Sequence, residues 1–387
     1  MLTAIIAMGA PGCMLAGCSS QTGPAGAAGG SPAASAGKAA DGTVQRPSRK
    51  RSSTLARSSP MALGLMTGAA QAAVTTQYQG EEIVSRWDAG GGTFLVSDIW
   101  HAPGGRTLTQ TLDTGTGASS QPYWSSDLDV DSPEGVLGIT TTLVRLLEAH
   151  YVVGYAGSGS AGNRPAQVVE AWRDDGSLAA RFWLDSATKL PLEREVFDTA
   201  AHMINQGVFI NVQIGKHGAA TSNAVFGPGQ SQGQTAGQQT GSWAYPIEPA
   251  KLLALRQQGW QVPPALPGGL MLFTGGMART TSGPVLDLGY SDGLSVISLF
   301  EQRGKLAAKL TGWQKIKVAG RTVYAAVPTQ RSLTWAGKGI VYTLIADAPA
   351  KTVATVVGAL PYDKPPGFWK RMSRGLSRMA SFVNPFG

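Results

Sequence analysis

The residues able to do chemistry in this chain are few, and their spacing is wrong for it. The two cysteines, Cys13 and Cys18, both lie before residue 19, so nothing downstream offers a thiol nucleophile, a disulfide or a thiolate ligand. The four histidines, His101, His150, His202 and His217, show no ligand spacing, whereas a zinc-type site needs three or four convergent donors. Two letter matches to catalytic motifs fail on context. Residues 157–162 read G-S-G-S-A-G, but a dinucleotide-binding turn must open a helix, and Asn163-Arg164-Pro165 leads into a strand pattern. Ser186-Ala187-Thr188-Lys189 reads S-x-x-K, yet it falls in a turn between two strand patterns, where a nucleophilic serine of that kind has no helix start to sit on. Asp174-Asp175 precede Gly176 at a hairpin tip, which leaves both carboxylates in water. There is no H-E-x-x-H and no phosphate-binding loop. The expectation is a protein that is not an enzyme, with no catalytic residues, no metal and no cofactor.

A net charge of +8 over 387 residues first suggests a nucleic-acid binder, but its distribution excludes one. Of the +8, residues 1–72 contribute +5 and the C-terminal Lys370, Arg371, Arg374 and Arg378 contribute +4, which leaves −1 for everything else. The body of the chain has no basic footprint for a phosphate backbone.

The N-terminal 72 residues read as an export leader followed by a low-complexity tether, in two ways. Leu15-Ala16-Gly17-Cys18 followed by two serines resembles a lipoprotein box, which makes Cys18 a lipidation candidate and residues 19–42 a flexible Gly/Ala/Ser tether. Alternatively, basic residues 46–57 form an n-region, residues 61–70 an apolar h-region, and Ala70-Gln71-Ala72 a cleavage site before Ala73. Either reading places residues 73–387 outside the cytoplasm, on the periplasmic or extracytoplasmic side of the cytoplasmic membrane.

Downstream, strand patterns dominate. Residues 77–112 alternate apolar and polar positions between Gly-rich turns, and residues 164–214 repeat that pattern around an Asp-Gly turn. A helix is expected between them, with Ser132 as N-cap, Pro133 at N1 and Glu134 in the first turn, carrying apolar residues from Val136 to Leu147 at helical spacing. Residues 73–214 thus form one mostly antiparallel domain with a helix over one face of its sheet. Residues 215–242, poor in apolar side chains and rich in Gly, Gln and Ser, read as a linker. Residues 243–362 form a second, smaller α+β domain. It opens with a helix that has Pro249 near its start and Gly259 past its end, and it closes with a helix capped by Asp347. In residues 363–387, Phe368, Met372, Leu376, Met379 and Val383 recur every three to four positions opposite Lys370, Arg371, Arg374 and Arg378. That is a basic amphipathic helix suited to an anionic membrane surface.

Two stretches carry a family resemblance. Tyr290-Ser291-Asp292-Gly293-Leu294 and the strand after it, preceded by G-W-Q-V-P-P-A-L-P-G-G-L at residues 259–270, resemble the C-terminal domain of the MucB/RseB family of extracytoplasmic sigma-factor (sigma-E) regulators. Residues 181–198, with Trp183, Leu184, Asp185 and Pro191, resemble that family's N-terminal hairpin. The residues themselves read as structural: Asp185 and Asp292 start turns, Pro191 fixes an exit, and Gly293 allows a tight bend. The resemblance implies a LolA/LolB-like first domain, an antiparallel sheet curled into a half-barrel with helices across it, followed by a smaller α+β domain. It also implies binding to a membrane-bound anti-sigma factor in envelope-stress control, and response to a lipid or acyl ligand in an apolar cleft. A lipid or lipoprotein carrier is the alternative.

Overall fold

A computed structural model describes residues 57–88, 91–103, 106–113, 123–126, 137–215, 248–280, 282–307, 310–326 and 332–364. They fall into two compact units that divide between residues 237 and 238.

The first unit opens with helix α1 (Pro60–Thr75), where Ser59 is the N-cap and Pro60 takes the first helical position. Strands β1 (Tyr78–Asp88), β2 (Gly91–Ala102), β3 (Arg106–Asp113) and β4 (Tyr123–Ser126) follow, then helix α2 (Thr141–His150). Strands β5 (Val152–Ala161), β6 (Arg164–Trp172), β7 (Leu178–Asp185), β8 (Pro191–Phe197) and β9 (Met203–Ile214) complete it. They make one antiparallel nine-stranded sheet in the order β4-β3-β2-β1-β9-β8-β7-β6-β5. The sheet is curled. β5 lies four strands from β9, yet a Cβ placed on Gly162, just past β5, would sit 2.8 Å from the Phe209 carbonyl oxygen on β9. Ala161, Val168, Trp183, Leu192, Phe209 and Ile99 accordingly share one buried cluster across six of the strands.

Two expectations change here. Residues 61–70, which read as an h-region, are the body of α1. Its buried residues Ala62, Leu65, Met66, Ala69, Ala70 and Ala72 form a stripe at three-to-four-residue spacing. The helix packs on α2, β5 and β6, and the chain before it is tied down as well: Ser59 N–H donates to Val153 O at 2.7 Å, and Val153 N–H donates to Ser58 Oγ at 3.1 Å. The expected boundary at residue 72 therefore falls inside a packed helix, and the first unit already includes residue 58. Helix α2 starts at Thr141, capped by Thr140 Oγ1 on Leu143 N–H at 3.2 Å, while Leu137 and Ile139 are buried ahead of it in non-helical chain. The expected start at Ser132–Glu134 lies outside the described residues.

The second unit has helix α3 (Pro249–Gln257), strands β10 (Ala265–Leu266), β11 (Leu270–Thr280), β12 (Gly283–Ser291), β13 (Val296–Arg303), β14 (Trp313–Val318), β15 (Arg321–Ala326), β16 (Ser332–Gly337) and β17 (Ile340–Asp347), and helix α4 (Ala350–Ala359). The sheet is again antiparallel, in the order β10-β11-β12-β13-β17-β16-β15-β14. Two-residue hairpins at Ala319-Gly320 and Lys338-Gly339 have φ > 0 at both central positions, the geometry that matches strand twist. The cap of α4 is Pro349, and Asp347 ends β17 instead. Leu286, Leu288, Tyr290, Ile297, Leu299, Trp335, Tyr342, Val356 and Val357 fill the core. The α+β class, mostly antiparallel, with a curled sheet under helices in the first unit, is as expected.

Candidate functional site

The hairpin between β7 and β8 holds the first motif, and each of its residues has a packing duty. Trp183 is 4% exposed and lies across β5: a Cβ on Gly159 would sit 3.5 Å from its indole nitrogen and 3.3 Å from Val168 Cγ2. The glycines of residues 157–162 thus make room for an indole and a sharp turn, and no helix follows them. Leu184, fully buried, pairs with Pro191. Asp185 is 1% exposed and ties the turn together. Its Oδ2 accepts from Arg164 Nε at 2.7 Å, and its Oδ1 accepts from Thr188 N–H at 2.8 Å and Thr188 Oγ1 at 2.9 Å. Burial pushes its pKa up, but these hydrogen bonds outweigh burial and hold the carboxyl below its ordinary value. Lys189 donates to Gln167 Oε1 and to the Ser186 carbonyl, so the S-x-x-K letters are turn chemistry.

The second motif is built alike. Ser291 Oγ accepts from Gly293 N–H at 2.9 Å and donates to Ser295 O at 2.8 Å. Asp292 Oδ1 accepts from Leu294 N–H at 2.9 Å and Ser295 N–H at 2.6 Å, while Gly293 takes φ 95°. Leu294 is buried. In the lead-in, Trp260 is buried beneath the Arg303 guanidinium, 4.9 Å from its ring centre. These side chains specify two turns and their packing. Cys18 and the basic side chains Lys370, Arg371, Arg374 and Arg378 lie outside the described residues.

Sequence reasoning missed a row of charges on the first sheet. Glu170, Arg181, Glu195 and Gln206 stand opposite one another on successive strands β6, β7, β8 and β9, and therefore share a face. Arg181 meets Glu170 Oε1 at 2.9 Å and Glu195 Oε2 at 3.5 Å, and Gln206 Nε2 donates to Glu193 Oε1 at 2.8 Å. Burial, the neighbouring Glu193 and then Glu170 outweigh Arg181 and push Glu195 up to about 7, while burial also raises Glu193. The signal was present as alternation, because Glu193 and Glu195 on β8 both point to the side that Arg181 occupies on β7.

The second unit also buries carboxyls, Glu301 most completely. Glu301 on β13 is fully buried, in register with Leu286 on β12 and Tyr342 on β17. Its Oε2 accepts from Gln261 N–H at 2.9 Å, while Oε1 has no hydrogen-bond partner. Burial pushes it up to about 8, so it is largely protonated at neutral pH. No group of three or more His, Cys, Asp or Glu among the described residues is placed to hold a metal ion. None of their helices is long and apolar enough to cross a membrane.

Residues 131–234 match the family model of the MucB/RseB N-terminal domain. This bears out the family resemblance, and the matched segment contains the β7–β8 hairpin. No curated protein matches the chain. Among solved structures, a crystal structure of MucB is similar at 19% identity, with 77% of this chain and 96% of that chain covered and a TM-score of 0.48. A MucA/MucB complex from Pseudomonas aeruginosa is similar at 19% identity, with coverage of 79% and 100% and a TM-score of 0.44. A LolA superfamily protein from Nitrosomonas europaea is similar at 7% identity, with coverage of 79% and 94% and a TM-score of 0.18.

Proposed function

We propose that this chain is a non-enzymatic extracytoplasmic regulator that binds the extracytoplasmic part of a membrane-bound anti-sigma factor and so sets the activity of an envelope-stress sigma factor. The observation that carries the reading is the family match over residues 131–234. The β7–β8 hairpin inside it and the Ser291–Leu294 turn in the following unit support it, because they occur in the family's order. In this reading the chain is exported and acylated at Cys18, with the residues up to about 56 as a tether. Residues 215–242 link two domains, and the basic segment 363–387 is a membrane-surface helix. Packing of α1 favours the Cys18 reading of the leader, since cleavage after Ala72 would remove Leu65 and Met66 from a core.

The test is capture from native membranes with the full-length chain, tagged at its C-terminus and expressed in its own cell. Co-purification of an anti-sigma-type membrane protein is the expected result. Recovery of none, from a folded and exported chain, overturns the proposal. The curled sheet beneath α1 and α2 supports the second reading, a lipid or lipoprotein carrier with an acyl ligand. Native mass spectrometry separates the two, because a carrier retains lipid and a regulator of this kind retains the membrane protein.

A further inference from the structure

The second unit carries a basic groove that the regulator reading does not use. It has a volume of about 750 Å³ and is rimmed by Lys317 at the end of the β14–β15 hairpin, Lys338 in the β16–β17 turn, and Lys364 after α4. All three lysines are exposed. Tyr362, Arg321 and Thr322 line its wall. The C-terminal carbonyls of a helix ordinarily repel an anion. Here that repulsion is removed: Arg321 donates to the Val357, Gly358 and Leu360 carbonyls at the end of α4, with its guanidinium 5.4 Å from the Tyr362 ring centre. Lys317 Nζ donates to Thr322 Oγ1 at 2.8 Å, which holds that ammonium at the rim. The nearby carboxylate is Asp363, whose Oδ1 accepts from Lys338 N–H at 3.1 Å. Lys317, Lys338, Lys364 and Arg321 thus line the groove, with Asp363 beside it.

We propose that this groove receives the phosphodiester headgroups of anionic phospholipids and seats the second unit on a membrane surface. Two features favour a lipid surface over a small free anion. The groove is wide and open, with its cations spread around a rim, whereas a dedicated phosphate site would converge backbone N–H groups on one point. The chain also runs directly from Lys364 into residues 365–387, where four further basic residues alternate with Phe, Met, Leu and Val at helical spacing, the composition of a surface-lying element. This contact is independent of the anti-sigma partner, and failure of one leaves the other standing.

The experiment is co-sedimentation of the full chain with vesicles of phosphatidylcholine alone and with about one third phosphatidylglycerol. The wild type is expected to partition onto the anionic vesicles and to lose them at high salt. Lys317→Gln, Lys338→Asn and Lys364→Gln together should weaken that partitioning about a hundredfold, at roughly fivefold per cation near an anionic surface. Asn is chosen at 338 because that residue sits at φ 52°. An unchanged melting temperature of the triple variant shows that the fold is kept. A parallel variant with Lys370, Arg371, Arg374 and Arg378 replaced by Gln reports the tail separately. Equal binding to both vesicle types overturns the proposal, as does a groove variant that partitions like wild type. A groove variant that loses capture of an acidic protein partner but keeps its vesicle binding also overturns it.

Discussion

Glu301 offers a sharp test of how the second unit is held together. Its carboxyl is buried in an apolar row with Leu286, Tyr342 and Trp335, and burial pushes it from 4.5 up to about 8. The folded chain therefore keeps a proton that the unfolded chain gives up near pH 4.5, and stability falls as pH rises from there through about 8. Moving from 4.5 to about 8, at about 1.4 kcal/mol per pH unit, sets a ceiling of about 5 kcal/mol on that loss. Glu301→Gln keeps an acceptor for Gln261 N–H and is neutral at every pH, so it should abolish this component. In urea unfolding of the full chain, followed by tryptophan fluorescence at pH 5, 7 and 8.5, the second-unit transition of the variant should lie within about 1 kcal/mol of wild type at pH 5. The variant should then become the more stable by roughly 3–5 kcal/mol at pH 8.5. Parallel pH profiles for the two proteins would refute the reasoning, because the remaining titrating groups are common to both and cancel in the difference.

Three further outcomes follow from the first unit. A chain starting at Ala73 lacks the buried face of α1 and should fail to give a cooperative first-unit transition, whereas one starting at residue 57 should fold; N-terminal mass spectrometry of the exported protein should find no terminus at 73. Asp185→Ala removes the Arg164 ion pair and the hydrogen bonds to Thr188, and should cost about 3 kcal/mol at pH 7. Because the Asp185 carboxyl sits below its ordinary value, that contribution is present above the unfolded pKa and should disappear as pH falls through the folded one, so the two proteins converge in acid. Arg181→Met should destabilise by about 3–5 kcal/mol near pH 8, where Glu170 and Glu195 would be left buried without a cation, and by less near pH 5, where Glu195, pushed up to about 7, holds its proton; thermal melts across that range measure it.

Local physics made part of this protein legible in its residues. Asp185 and Asp292 announce turns because a short carboxylate reaches backbone N–H groups two and three residues on, and Pro249 and Gly259 bracket α3 because of their own φ preferences. Alternation gave antiparallel strands, and the lack of convergent donors gave a chain with no evident reactive centre. Residues 61–70 read as an h-region because an Ala- and Leu-rich run has the same composition in an export signal as in a packed helix; only the folded domain supplies the surface, α2 with β5 and β6, that α1 packs against. The start of α2 moved for a related reason, since apolar spacing from 136 onward serves buried non-helical chain as well as helix.

What the chain order decides alone is therefore the set of turns, the antiparallel class and the neutral, thiol-free body. The curl that brings Gly162 to Phe209, the placing of Glu195 beside Arg181, the burial of Glu301 and the gathering of Lys317, Lys338 and Lys364 around one groove join residues far apart in sequence. Such juxtapositions leave no local periodicity, because the free energies that create them arise only when distant strands exclude water together.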